Sequence, residues 1–299
     1  MNIALIHGII VIIIDALALW LGFWVYSVDR KAKANQLFLV IALLLVLWNT
    51  PAYFCQYFAE GGAIALFLAR LGYIGGVLFL IPVYFFIALF PKEEKRNQIL
   101  DKIVIGAGFF LFLTAWINSV LTKVKFSPVT QGYLPVPGPG IFVPLSVISL
   151  LGIYVLFLLS QKYLRSAKEE KLQLQYLFVG LFIYLILNLI FNVGYVLWRG
   201  SFEYHFIGEY SAILFLGLTA LGIVRQKLFG IKVIITELLV GLFSILLLIE
   251  TIFSRSLPEA FGRGIIFIVF LIFGYFIIKE TVKLDKLSEY LDQKVKERT

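Results

Sequence analysis

Apolar blocks about the length of a bilayer-crossing helix recur along this chain of 299 residues, separated by basic or Pro/Gly-rich segments. A helix needs about 20 apolar residues to cross ~30 Å of hydrocarbon, so the pattern restricts the fold to an all-α, polytopic transmembrane helix bundle. Composition agrees: 61% of the residues are hydrophobic and 15% charged, against roughly 45–50% and about 25% in soluble domains. Too little charge is present to cover a water-facing surface.

Seven core spans are expected at 3–26, 37–58, 63–90, 103–120, 141–160, 176–198 and 207–224. The first block is kept as a span because it lacks the charged start and small-residue cleavage site of a secretory signal, and Asp15 interrupts it. A further pair follows at 234–253 and 260–278, either as two spans or as a re-entrant hairpin; Arg263 lies inside the second, whose purely apolar run is short for a crossing. Residues 1–232 read as a membrane domain, 233–278 as the additional pair, and 279–299 as a cytoplasmic amphipathic or coiled-coil linker helix. Of the 26 Lys and Arg residues, 20 fall in the connections after the odd-numbered spans and in the tail. Positive charge stays inside, so the N-terminus is expected outside and the C-terminus in the cytoplasm of a multi-pass protein.

The net charge of +8 is explained by those loops facing anionic lipid headgroups, and nucleic acid is not needed as a partner. The single cysteine, Cys55, allows no disulfide within one chain and no cysteine metal site. His7 and His205, the only histidines, lie near the outer face; without a third ligand they suit a solvated interfacial role better than a metal or catalytic one. No catalytic residue, metal or cofactor is expected.

Ionisable groups in hydrocarbon are costly, which makes each a functional hypothesis with a structural rival. Asp15 lies ~18 Å and Arg70 ~10 Å from the outer face at 1.5 Å per residue, within reach of an arginine side chain if their spans adjoin. Glu209, at the outer start of the seventh span, is the rival partner for Arg70. The choice is between a structural ion pair and ligand or proton sensing. Asn49, Asn118, Asn188 and Asn192 add amides at mid-depth or nearer the outside, while the inner halves of the core spans carry neither charge nor amide. A polar pocket above an apolar plug suits a receptor, whereas a transporter or channel needs polar groups through the full depth. The longest outer connection ends in the run from Leu134 to Gly140, rich in Pro and Gly, which forbids helix and fixes an extended connection. It is either a lid over a site or a stiff connector. Gly72, Gly75, Gly76 and Pro82 in the third span imply close helix approach and a kink; Glu237 and Glu250 read as interfacial.

Trp48, the run Arg70-Leu71-Gly72-Tyr73-Ile74-Gly75, Pro82, the outer Pro137 to Phe142, Gln173 and Gln175, and the run Gly222 to Ile231 together resemble the seven-helix N-terminal sensor region of bacterial histidine kinases. The resemblance covers most of 1–232. It implies a bacterial-type cytoplasmic membrane, no enzymatic activity in this part, and a stimulus passed to a cytoplasmic output. It adds Tyr73 to Asp15, Asn49, Arg70, Asn188, Asn192 and Glu209 as candidate ligand or sensing residues.

The tail, Leu291 to Thr299, is similar to the linker leading into the phosphoacceptor helix of many kinases. Leu284, Leu287, Leu291 and Val295 form an apolar stripe, the pattern of a parallel homodimer seam, with a surface-lying amphipathic helix as the alternative. No phosphoacceptor histidine, ATP lid or P-loop accompanies it, so phosphorylation is expected to need a separate kinase or output domain. The partners expected are the lipid bilayer, a second copy, that output domain, and a small or hydrophobic ligand. The competing reading is a small-solute transporter or other polytopic membrane protein.

Overall fold

In the computed structural model, the described residues are 3–59, 62–93, 97–128, 130–224 and 257–298, with single positions 236, 240, 241, 243, 244, 247 and 251. They are almost wholly helical and divide into two compact units, Ile3–Gln226 and Lys227–Thr299.

The first unit starts with α1 (Ile3–Val28) and α2 (Lys33–Tyr57), then α3 (Gly62–Leu78) and α4 (Leu80–Leu89). The α1–α2 turn is tied by the Asp29 carboxylate accepting from the Lys31 and Ala32 amides, and Asn35 Nδ2 donates to the Val25 and Asp29 carbonyls that α1 leaves open. α3 and α4 belong to one apolar stretch broken at Phe79. Pro82 supplies no N–H to the Leu78 carbonyl four residues back, which accounts for the kink expected there.

α5 (Gln98–Thr114) is capped by Asn97, whose side chain accepts from Ile99 N at 3.0 Å. It answers to the fourth expected span but starts earlier and is shorter: 17 residues, about 25 Å of helix at 1.5 Å per residue. The chain leaves the helix at Ala115 and enters a hairpin. There β1 (Leu121–Ser127) pairs antiparallel with β2 (Gly132–Pro137), Phe126 opposite Tyr133. The all-α expectation thus holds for the bundle, and the extended outer connection becomes a two-stranded ribbon. Its prolines, 135 and 137, are tolerated because a two-stranded sheet has only edges. The Gly138 and Gly140 amides bond back to the Val120 and Ser119 carbonyls, turning the chain into α6 (Phe142–Arg165).

α7 (Lys168–Asn188) continues through a π-helical turn, Leu189–Gly194, into α8 (Tyr195–Arg199), and α9 (His205–Val224) closes the unit. Packing runs α1–α2–α3/α4–α6–α7–α9 and back to α1, so six apolar stretches form a ring, with α5 against α3, α4 and α6. Phe38, Ile41, Phe86, Leu159, Leu177 and Phe215 fill the half of this ring away from the hairpin. At that end the buried Lys162 ammonium donates to the Ile87 and Lys92 carbonyls at 2.8 Å, holding the C-terminus of α4 where the helix dipole favours a cation.

In the second unit, α10 (Leu257–Arg298) is a single helix of 42 residues, about 63 Å long at 1.5 Å per residue. It contains an apolar stretch, Gly262–Leu284, long enough to cross a membrane, so Arg263 and the short apolar run do not interrupt the last expected span. Val240 packs on Gly274 and Phe243 on Phe270. Apart from the seven single positions, the expected span 234–253 lies outside the described residues, as do Glu237 and Glu250. Leu284 and Leu287 are exposed on α10; Leu291 and Val295 lie on the same helix, with side chains outside the described set. Among the described residues, seven helical stretches are long and apolar enough to span a bilayer, six of them in the ring and the seventh in α10. This is a multi-pass membrane protein.

Candidate functional site

The small residues expected to permit close helix approach also open a void. Gly75 brings the α3 backbone onto that of α2: a Cβ there would lie 2.5 Å from Trp48 N and 2.8 Å from Leu44 O. Gly72, about one turn earlier, and Gly76, the next residue, present no side chain, and α6 adds Ser149 and Gly152 to the same lining. The result is a cavity of about 210 Å³ inside the ring. Tyr133, Leu134 and Pro135 of the hairpin cover it at one end, and Leu80 and Tyr184 are at the other.

Most of the lining is apolar, with the amide and ionisable groups gathered on the side formed by α7, the π turn and α9. Asn188 Nδ2 donates to the Tyr184 and Gly208 carbonyls, and Asn192 Nδ2 donates to Asn188 Oδ1 at 2.7 Å. A Cβ at Gly208 would collide with both amides, so this glycine lets α9 approach them. A π turn widens the spacing between successive groups on one face and is common at functional sites; here it lies between Asn188 and Tyr195 and carries Asn192. Glu209 is 2% exposed; its Oε1 has no hydrogen-bond partner within range, and His205 Nε2 stands 3.6 Å away. His205 Nδ1 is fixed on the Phe202 carbonyl at 2.6 Å. Asn192 Oδ1 is likewise buried without a partner. Tyr73, on the α3 wall, shares a hydrogen bond with Thr114 of α5 at 3.1 Å.

A second polar cluster is separate from the cavity lining. The Asp15 carboxylate accepts from Asn49 Nδ2 at 2.8 Å and from the Thr50 hydroxyl at 2.6 Å, joining α1 to α2. Nearby, His7 is ringed edge-on by Tyr53, Tyr57, Phe206 and Tyr210, with its Nδ1 3.2 Å from the Tyr57 hydroxyl. Arg70 donates to Asn118 Oδ1 at 2.6 Å on an exposed edge. Among the described residues, no group of three or more His, Cys, Asp or Glu is placed to hold a metal ion.

The family model described as the N-terminal 7TM region of histidine kinase matches residues 8–232. The chain belongs to that family. No curated protein matches it. The matched segment of this 7TM histidine kinase region runs from Gly8 in α1 through α9, and therefore includes the whole cavity lining and the Asp15 cluster, with His7 just ahead of it.

Of the candidate residues read from the sequence, Tyr73, Asn188, Asn192 and Glu209 come together at the cavity. Asp15 and Asn49 form the separate cluster, and Arg70 joins neither. The expected Asp15–Arg70 or Glu209–Arg70 ion pair is not formed: amide and hydroxyl groups satisfy the carboxylate of Asp15, and Asn118 takes the guanidinium. Depth along two spans does not reveal which helix faces turn toward each other. His205 corrects the interfacial expectation, since it is buried beside Glu209, one helical turn away on α9. Trp48, which the sequence offers only as part of the family pattern, also lines the cavity. The i, i+4 spacing of His205 and Glu209 was the available signal for the first, and the Gly72/Gly76 pair for the second.

Proposed function

We infer that this chain is the input module of a histidine-kinase-type signalling system, in which the state of the cavity in the 8–232 region sets the state of a dimeric α10. The observation that carries this reading is a largely apolar void with one polar wall, lying within the segment matched to the family. Beneath it the ring is packed solid with Phe38, Phe86, Leu159 and Leu177, which favours a receptor over the transporter reading, because a transported solute needs polar groups on both sides of its site. The distribution of basic residues supports a hairpin on the outside and a cytoplasmic tail. Residues 1–232 then receive the stimulus, and 279–299 deliver it through the Leu284, Leu287, Leu291 and Val295 seam to a kinase or other output domain. Asp15 and Asn49 hold α1 on α2, while Tyr73, Asn188, Asn192 and Glu209 report occupancy.

The test fuses an autophosphorylating kinase domain after Thr299 and reconstitutes the chimera in nanodiscs. Ser149→Phe fills the cavity from α6, while Leu150→Phe adds a similar ring on the exposed side of the same helix. Ser149→Phe is expected to change autophosphorylation by about fivefold or more, the usual scale of coupling between sites, and Leu150→Phe to leave it unchanged. Equal activity in the two variants and the parent would contradict the sensory role of the cavity.

A further inference from the structure

The cavity does not have the same surroundings on all sides. Towards the hairpin it is shut by Leu121 and Leu134, both at least 95% buried, and on the α3–α4 side by Val77 and Leu80, equally enclosed. Three of its lining residues behave differently: Ile153 of α6 is 63% exposed, Ile186 of α7 37% and Leu189 of the π turn 49%. They mark a gap between α6 and α7, and every residue of that rim is apolar. The rim lies midway along two membrane-spanning stretches, so the medium outside it is lipid. An aqueous solute would have to pass a closed hairpin, whereas a molecule dissolved in the bilayer meets an apolar doorway.

The interior defines what fits. An apolar void of ~150 Å³ stays dry and accepts a benzene-sized guest, and this one, at about 210 Å³, is somewhat larger. That suits a single ring system or a short chain and excludes a whole phospholipid, whose acyl chains alone exceed it. The end bounded by α9 and the π turn carries two buried acceptors with no hydrogen-bond partner, Glu209 Oε1 and Asn192 Oδ1. Buried acceptors left unpaired carry a desolvation penalty, so a guest that donates hydrogen bonds to them gains more than its apolar contacts give. Another acceptor placed there would gain nothing.

We propose that the cavity binds a small amphiphile that arrives from the bilayer between α6 and α7, its apolar body lying along Gly72, Gly76 and Gly152 and its hydrogen-bond-donating head, an amine or hydroxyl, meeting Glu209 and Asn192. This rests on the sensory reading only for its signalling consequence; the binding itself stands separately. No covalent step is involved. The donor head gives the selectivity and the lateral gap gives the route.

Trp48 lines the cavity and serves as the reporter once Trp20, Trp24, Trp116 and Trp198 are replaced by Phe. The full chain in phosphatidylcholine nanodiscs is titrated with a brominated short-chain alkylamine, the matching alcohol and the matching carboxylate, each scaled to its concentration in the bilayer. Saturable quenching by the amine and the alcohol is expected, with the carboxylate about tenfold weaker or more, the equivalent of 1.4 kcal/mol. Glu209→Gln should reduce the advantage of the amine by a similar factor. Ile153→Phe with Ile186→Phe, which narrows the gap, should slow or abolish quenching while leaving thermal stability unchanged. Equal quenching by all three head groups, or quenching that rises linearly and equally in the open and narrowed proteins, overturns the proposal. The kinase chimera separates this from the sensory reading: saturable quenching without a change in autophosphorylation keeps the site and removes its signalling role. A chimera that responds to Ser149→Phe while Trp48 is never quenched removes the proposed ligand class and keeps the sensor.

Discussion

Gly75→Leu is expected to destabilise the first unit by about 3 kcal/mol or more, at the upper end of what overpacking a buried contact costs. The atoms its side chain would meet are Trp48 N, Leu47 C and Leu44 O, all backbone of α2, the nearest at 2.5 Å. A flexible side chain in that place would swing away; a helix backbone moves only by parting α2 from α3, which also dismantles the Trp48 wall of the cavity. Gly106→Leu on α5 is the control, since a Cβ there meets nothing within 4 Å. There the gain in helix propensity, up to about 1 kcal/mol, should leave stability equal or slightly higher. Thermal unfolding of both variants in the same detergent gives the comparison, and equal transition temperatures would remove the close α2–α3 contact from the account.

The Asp15 cluster gives the second large effect, and its pattern distinguishes the observed partners from the ion pair suggested by the sequence. Asp15→Leu leaves the buried Asn49 amide and the half-buried Thr50 hydroxyl without their acceptor; with about 1–3 kcal/mol for the first and less for the second, which water or a carbonyl can still reach, a loss of roughly 2–4 kcal/mol is expected. Asp15→Asn should stay within about 1 kcal/mol of the parent. Its carbonyl still accepts from Thr50, and its new N–H₂ can reach the Asn49 Oδ1, which has no hydrogen-bond partner within range, after that amide turns over. Arg70→Ala removes one hydrogen bond to Asn118 at an exposed edge and should cost under about 1.5 kcal/mol. An ion pair predicts the opposite ranking, with Asp15→Asn and Arg70→Ala both severe because each strands a buried charge. Denaturant titration of the three variants decides between the rankings.

The bundle itself was legible in the sequence because span length, apolar content and the placement of bases are one-dimensional properties that the bilayer enforces. So was the concentration of Asn188, Asn192 and Glu209 toward one end, since depth follows from position along a span. What depth does not carry is azimuth. Asp15 and Arg70 fall at compatible depths, yet their helix faces turn to Asn49 and Asn118. The break at Phe79 follows from Pro82, while the π turn at Leu189–Gly194 has no comparable local cause in an apolar run. The early end of α5 and the pairing of 121–137 into a hairpin were hidden for a related reason: Ala115 to Val120 is apolar enough to continue a span, and the strand pairing that takes over from the helix starts only beyond it, at Leu121 opposite Pro137. In the sequence Gly72 and Gly76 signal close helix contact; their second effect, a void facing α6, depends on α6 adding Ser149 and Gly152 to the same lining.

The central claim is that the cavity and the C-terminal helix respond together, and a distance across the proposed dimer measures that directly. With the buried Cys55 replaced by Ser, a spin label at Leu287→Cys, an exposed position of α10, reports the separation between two copies in one nanodisc by dipolar electron resonance. The expected result is one dominant distance that moves to a second value when Ser149→Phe fills the cavity and stays put with Leu150→Phe. A label with no dipolar partner, or a distribution identical in all three proteins, would contradict the claim.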